Sequence, residues 1–230
     1  MSHASSPTPR REFLGTLATA TVALAGAACA GQVAAAGAQS ASPAPPAPPL
    51  NDDWASRLTA KHKAVFDAPA IADGTIVANA FVYLMSYHAV YGVPDSDMQA
   101  VLVIRHAAIP MAVDDAFWAK YELGKAEKVK DPATGKWALR NPFLESDPRV
   151  KDVPPGFSLS ALRQRGAILL GCGLAAKRLA ARVAARTKQD PGAVETELRA
   201  HLIPGLELAH SGIFAVMRAQ EAGCTYIRSA

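Results

Sequence analysis

A chain of 230 residues with three cysteines, a formal charge of +4 and half of its residues hydrophobic is too poor in cysteine to be built on disulfides. Its mild basic surplus, with no Lys/Arg stripe interleaved with aromatics, argues against a nucleic-acid partner. The stretch beyond residue 50 is the size of one domain and long enough to bury a proper core by ordinary apolar packing.

Arg10 and Arg11 precede a weakly apolar, alanine-rich segment that runs to Ala38, the pattern of a twin-arginine export signal, so the protein is expected to be periplasmic or secreted. The segment is too rich in Ala, Gly and Thr to persist as a membrane helix, which takes about 20 strongly apolar residues. Cleavage is therefore expected, with no stable membrane span after it. Small-residue sites occur at Ala28-Cys29-Ala30 and at Ala36-Gly37-Ala38, and both stay open. Cys29 would carry a lipid in a lipoprotein signal, but Gly26-Ala27-Ala28 lacks the aliphatic residue such signals have. Residues 39–50 include Ser42-Pro43-Ala44-Pro45-Pro46-Ala47-Pro48-Pro49, which has too few backbone N–H groups to join a helix or sheet and reads as an extended tether.

In the domain, residues 51–230, Lys63-Ala64-Val65-Phe66 reads as a short first strand. Asp73 is expected to cap a helix over 74–91, with Phe81, Leu84, Met85 and His88 on one apolar face, and Gly92-Val93-Pro94 ends it. His88 is thereby expected to be a satisfied core histidine. Ala100-Val101-Leu102-Val103-Ile104 is a continuous apolar run, the mark of a strand covered on both faces, and Arg105-His106 closes it. Asp114-Asp115 opens a helix through Trp118 and Tyr121, both read as core. Residues 125–155, with turn signals at Asp131-Pro132 and Thr134-Gly135, read as a long surface excursion, and loops of that length are functional or poorly ordered.

A short helix over 158–165 leads to a strand over 167–170, a Gly171-Cys172-Gly173 turn and an Ala/Arg/Lys-rich helix to Thr187. Asp190-Pro191 starts a helix through Leu202 that Pro204-Gly205 stops. A strand over 206–209, the turn His210-Ser211-Gly212, a helix to Ala222 and a last strand, Thr225-Tyr226-Ile227, complete the chain. Short apolar strands alternating with helices predict a three-layer α/β/α fold around a mostly parallel five-stranded sheet.

In such sheets ligands collect outside the carboxyl ends of the strands. Asp67 stands directly after the first strand, Arg105 and His106 after the second, Gly171, Cys172 and Gly173 after the third, and His210 and Ser211 after the fourth. A thiol at the start of a helix lies among unpaired N–H groups that favour a thiolate, an imidazole can take its proton, and a guanidinium can hold an anionic substrate. Cys172, His106 and His210 are thus the candidate catalytic residues, and Arg105, Asp67, Gly171, Gly173 and Ser211 the candidate substrate-binding ones. A buried cysteine often serves only as a small hydrophobe, and Arg105 has Asp67 and Asp114 as alternative partners.

Gly171-Cys172-Gly173-Leu174-Ala175-Ala176 matches a dinucleotide fingerprint, but it does not occupy the first strand-helix turn, and Glu195 lies inside the next helix, where no strand ends. A metal held by Cys172, His106 and His210 has no local ligand pair of the His-x-x-x-His or Cys-x-x-Cys type behind it. Neither a cofactor nor a metal is implied. Cys224 precedes the fifth strand whereas Cys172 comes after the third, which puts them too far apart for a disulfide, whose Cα atoms lie within about 7 Å.

The stretches 162–172, Leu202-Ile203-Pro204-Gly205-Leu206-Glu207, Ser211-Gly212-Ile213-Phe214 and 219–226 keep the order of strand, cysteine turn, helix, proline-glycine strand, serine-glycine turn and closing Gln-Glu-x-Gly segment. In this the chain resembles the DsrE/DsrF-like family of sulfur-relay proteins. Lys61-His62-Lys63-Ala64-Val65-Phe66-Asp67 and Val103-Ile104-Arg105-His106 resemble an exported, twin-arginine branch of it. The resemblance spans about residues 54–227 with one long insertion. It implies a three-layer fold, homo- or hetero-oligomers, a sulfur-donor or acceptor protein as partner, and a persulfide on the position matching Cys172. A non-catalytic module that binds a small anion or a protein in the same crevice is the alternative.

Overall fold

The β-branched runs of the sequence become the middle of the sheet. The computed structural model describes residues 53–230; the expected export signal and tether lie outside the described residues. Strands β1 (His62–Ala68), β2 (Met98–Ile104), β3 (Ile168–Cys172), β4 (Leu206–Ala209) and β5 (Thr225–Arg228) form one sheet in the order β4-β3-β2-β1-β5, every neighbouring pair parallel. Helices α1 (Thr75–Tyr91), α2 (Asp115–Lys120), α3 (Leu123–Ala126), α4 (Leu159–Gln164), α5 (Gly173–Thr187), α6 (Pro191–Ala200) and α7 (Gly212–Glu221) connect and cover it.

Alternate side chains go to opposite faces, so the two layers are read directly from the strands. Phe66, Leu102, Ile104 and Leu169 pack beneath α1, α4 and α5, with α6 outside α5. Val65, Val101, Val103, Ile168 and Leu170 point the other way, towards Ala215 and Ala219 of α7 and Trp54 of the turn Asp53–Arg57. Each of these aliphatic side chains contributes about 1.5–3 kcal/mol on full burial. The expected three-layer α/β/α architecture is therefore present, with a sheet that is wholly parallel. Among the described residues no helix is long and apolar enough to cross a membrane.

Several boundaries differ from those expected. The N-cap of α1 is Gly74, with φ 80°, and not Asp73, which sits one residue earlier in a left-handed turn with Ala72. The buried face of α1 is Ile76, Val77, Ala80 and Leu84; Met85 and His88 are exposed, so His88 is no core residue. The reason is that α1 carries no Asp, Glu, Lys or Arg, and a helix apolar all round offers several equivalent stripes to periodicity. Trp118 and Tyr121 are core as expected, but α2 stops before Tyr121, because Glu122 turns left-handed at φ 45° and starts α3. α6 ends at Ala200, short of Leu202. Gly171 and Cys172 are the last residues of β3, which runs straight into α5; no separate turn intervenes.

The segment after α3 is short of regular structure yet folded against the domain. Asn141, fully buried, donates both amide hydrogens of its Nδ2 to the carbonyls of Met111 (2.9 Å) and Val113 (2.8 Å). Buried Asp131 accepts from the N–H groups of Ala133 and Thr134 and from Arg140 Nε at 2.7 Å, and Arg140 reaches on to Asp147. The turn this makes brings Lys130 opposite Trp137. Gly124 lies flat on the Ala138 backbone, where a Cβ would come within 2.2 Å of the Ala138 carbonyl oxygen. Gly124→Ala should therefore cost about 2–3 kcal/mol of stability, measured by urea unfolding, because two backbones and no flexible side chain would have to part.

Candidate functional site

The parallel register brings the carboxyl ends of β1, β2 and β3 side by side, with Ala68 opposite Ile104 and Ile104 opposite Gly171. Asp67, buried in β1, lies one residue before that line, and Arg105 one residue after it. Arg105 closes a two-pronged ion pair on Asp67, Nε to Oδ1 at 2.5 Å and Nη2 to Oδ2 at 2.8 Å. The same Oδ2 accepts from the Tyr226 hydroxyl at 2.9 Å, which ties in β5. The Asp67 carboxylate holds the Arg105 guanidinium more firmly protonated than usual, with smaller contributions from Tyr226 and Cys172. Burial first, then the bond to Asp67, raises the Tyr226 phenol above its ordinary value.

Of the expected partners for Arg105, Asp67 is the one engaged; Asp114 instead caps α2 and pairs with His201. The remaining Arg105 nitrogen, Nη1, lies 3.1 Å from Nδ1 of His106. A guanidinium can only donate, so Nδ1 accepts and the imidazole carries its proton on Nε2. His106 is exposed and adopts φ 50°, a left-handed conformation that aims it away from the strand. The stem of Arg105 lies against Gly212, where a Cβ would be 2.5 Å from Arg105 Cβ. Only glycine lets α7 begin there.

Cys172 is 4% exposed and is itself the N-cap of α5, its Sγ accepting from the Ala175 N–H at 3.4 Å. That is an acceptor role a thiolate fills better than a thiol. Gly171 carries no side chain beneath Leu206 and Leu208, where a Cβ would be 2.8 Å from Leu208. Gly173 meets the far side of the crevice: a Cβ on it would lie 2.9 Å from the Ala209 carbonyl oxygen and 3.3 Å from that of His210. The start of α5 therefore abuts the backbone at the end of β4, just ahead of α7. Ser211 caps α7, accepting from the Phe214 N–H at 3.2 Å, and the His210 side chain is exposed. No hydrogen bond joins Cys172 to His106 or His210 among the described residues.

The predicted residues thus fall into two contiguous groups: Asp67, Arg105 and His106 in one, and Gly171, Cys172, Gly173, His210 and Ser211 in the other. Arg105 links them through its contact with Gly212, the residue after Ser211. Tyr226 is the member that sequence reasoning missed, because nothing local says that the last strand returns beside the first. Cys224 is also buried and free, at the other end of β5, where burial pushes its thiol up against a smaller opposing pull from Lys63. Compared with known proteins, the chain matches no family model and no curated protein.

Removing one partner of the buried fork leaves the other uncompensated, so Asp67→Asn should lower stability by about 3 kcal/mol in urea unfolding. Tyr226→Phe gives a pH signature. Because the folded phenol holds its proton to higher pH than the unfolded one, it contributes stability that is lost as pH rises above about 10. The variant should show a shallower alkaline decline than wild type, and one fewer late-ionising tyrosine in an ultraviolet titration.

Proposed function

We propose that this is an exported thiol protein of the DsrE/DsrF type that binds or carries sulfane sulfur on Cys172. The observation that carries the reading is the position of that sulfur, which accepts from the first turn of α5 at the carboxyl edge of a parallel sheet. The resemblance over 162–172 and 202–226, and the paired arginines of the leader, support the same reading.

In this role the Cys172 thiolate attacks the outer sulfur of a persulfide donor, R–S–SH. A sulfur-sulfur bond forms on Cys172, the bond between the two donor sulfurs breaks, and the donor leaves as the thiolate R–S⁻. No external oxidant or reductant is needed. Passing the sulfur to an acceptor thiolate is the same step in reverse. His106, with Nδ1 engaged by Arg105, offers its Nε2 hydrogen to the incoming group, and exposed His210 stands at the opposite lip. Arg105 holds its fork on Asp67 and acts on the sulfur by its charge.

A second reading has its own support. Leu174 at the start of α5, with Ile213 and Met217 of α7, are 43%, 56% and 54% exposed, as suits a module that docks a protein partner over a sulfur that is merely packed. Mass spectrometry after incubation with inorganic polysulfide separates the two. Sulfur carriage predicts a gain of one sulfur atom on wild type and on Cys224→Ser, and none on Cys172→Ser. Equal gain in all three proteins, or no gain together with a Cys172 inert to iodoacetamide in the folded state, rejects carriage and leaves the docking module.

A further inference from the structure

The segment between α3 and α4, together with the turn after β1, walls a cleft of about 430 Å³ that the sulfur chemistry does not use. Its size is that of a small-molecule site, and its lining mixes aromatic and aliphatic side chains with charged ones. Trp137, Phe143, Phe157, Val129 and Val150 supply the apolar walls. The walls are built rather than draped. Asn141 and Asp131 anchor the segment through buried hydrogen bonds, and Phe143 presses on Gly74, where a Cβ would be 2.8 Å from its ring.

Charges of both signs line the cleft. Lys128 and Lys130 stand on one segment; Asp73 comes from the left-handed turn before α1, and Glu145 from the loop before α4. None of these four side chains has an ion pair or hydrogen bond with the described residues, although Asp147, in the same lining, is held by Arg140 and Arg149. Lys130 lies 5.8 Å from the centre of the Trp137 ring. Asp73 is held in its position by a turn in which Ala72, Asp73 and Gly74 all have positive φ, a conformation that costs about 1–2 kcal/mol at each non-glycine residue.

We propose that this cleft binds a small zwitterion with an apolar body, of the chemical class of the free apolar amino acids: Lys128 and Lys130 take its carboxylate, Asp73 and Glu145 its ammonium, and the Trp137 and phenylalanine walls its side chain. A plain anion would leave the two carboxylates without a partner, and a plain cation the two lysines. The site is separate from Cys172, and its occupancy does not depend on sulfur chemistry.

Trp137 supplies the readout, because Trp54 and Trp118 are buried and Trp137 is 45% exposed. The full chain is titrated with L-phenylalanine, phenylacetate and phenethylamine, by calorimetry and by tryptophan fluorescence. Phenylalanine should saturate with a fluorescence change that Trp137→Phe abolishes, and each single-charge analogue should bind about tenfold more weakly or worse, as expected from losing one charged hydrogen-bonding partner. Lys128→Gln with Lys130→Gln should remove the preference for phenylalanine over phenethylamine, and Asp73→Asn with Glu145→Gln the preference over phenylacetate. Circular dichroism confirms folding, and asparagine suits the left-handed position of Asp73. Cys172→Ser should bind as wild type does. No saturable binding of phenylalanine, an analogue that binds equally well, or wild-type affinity in both charge-removing pairs overturns the proposal.

Discussion

Much of the carboxyl edge of this sheet hangs on one buried fork. Asp67 is enclosed in β1 and would be costly there as a lone charge; Arg105, from the end of β2, meets it with two nitrogens, and Tyr226, from β5, closes the remaining acceptor position. Three strands that are remote in sequence are thereby locked at the same height. The stem of the arginine then fixes where α7 can start, because it leaves room only for the hydrogen of Gly212. Such a pair adds less to net stability than its charges suggest. Its value lies in making a single arrangement of strand ends acceptable and leaving a charge uncompensated in the others.

The same fork changes what the guanidinium offers to chemistry. With two nitrogens on Asp67 and the third facing His106, Arg105 is poorly suited to clasp a substrate anion and well suited to hold a field. The sulfur of Cys172 sits at the start of α5, where it accepts from the Ala175 N–H. Close packing leaves Cys172 only 4% exposed and keeps bulk water from its sulfur.

How far the sequence leads can be traced through individual residues. Val101 to Ile104 announced a doubly covered strand, because β-branched runs of that length leave few other choices, and the positions of Asp67, Arg105 and Cys172 at strand ends came with it. Tyr226 did not, since the neighbour of an outer strand is settled by long-range packing and leaves no local trace. His88 went astray for a different reason: α1 lacks charges to mark its wet side, and several stripes fit the period equally well. The folded wall after α3 was hidden because its anchors are backbone carbonyls of Met111 and Val113, which no composition or spacing can display.

The bare contact of Gly173 with the carbonyl oxygens of Ala209 and His210 has a mechanical meaning. With less than a methyl's width between them, a shift of the start of α5 has to be taken up by the backbone that leaves β4 and leads into α7.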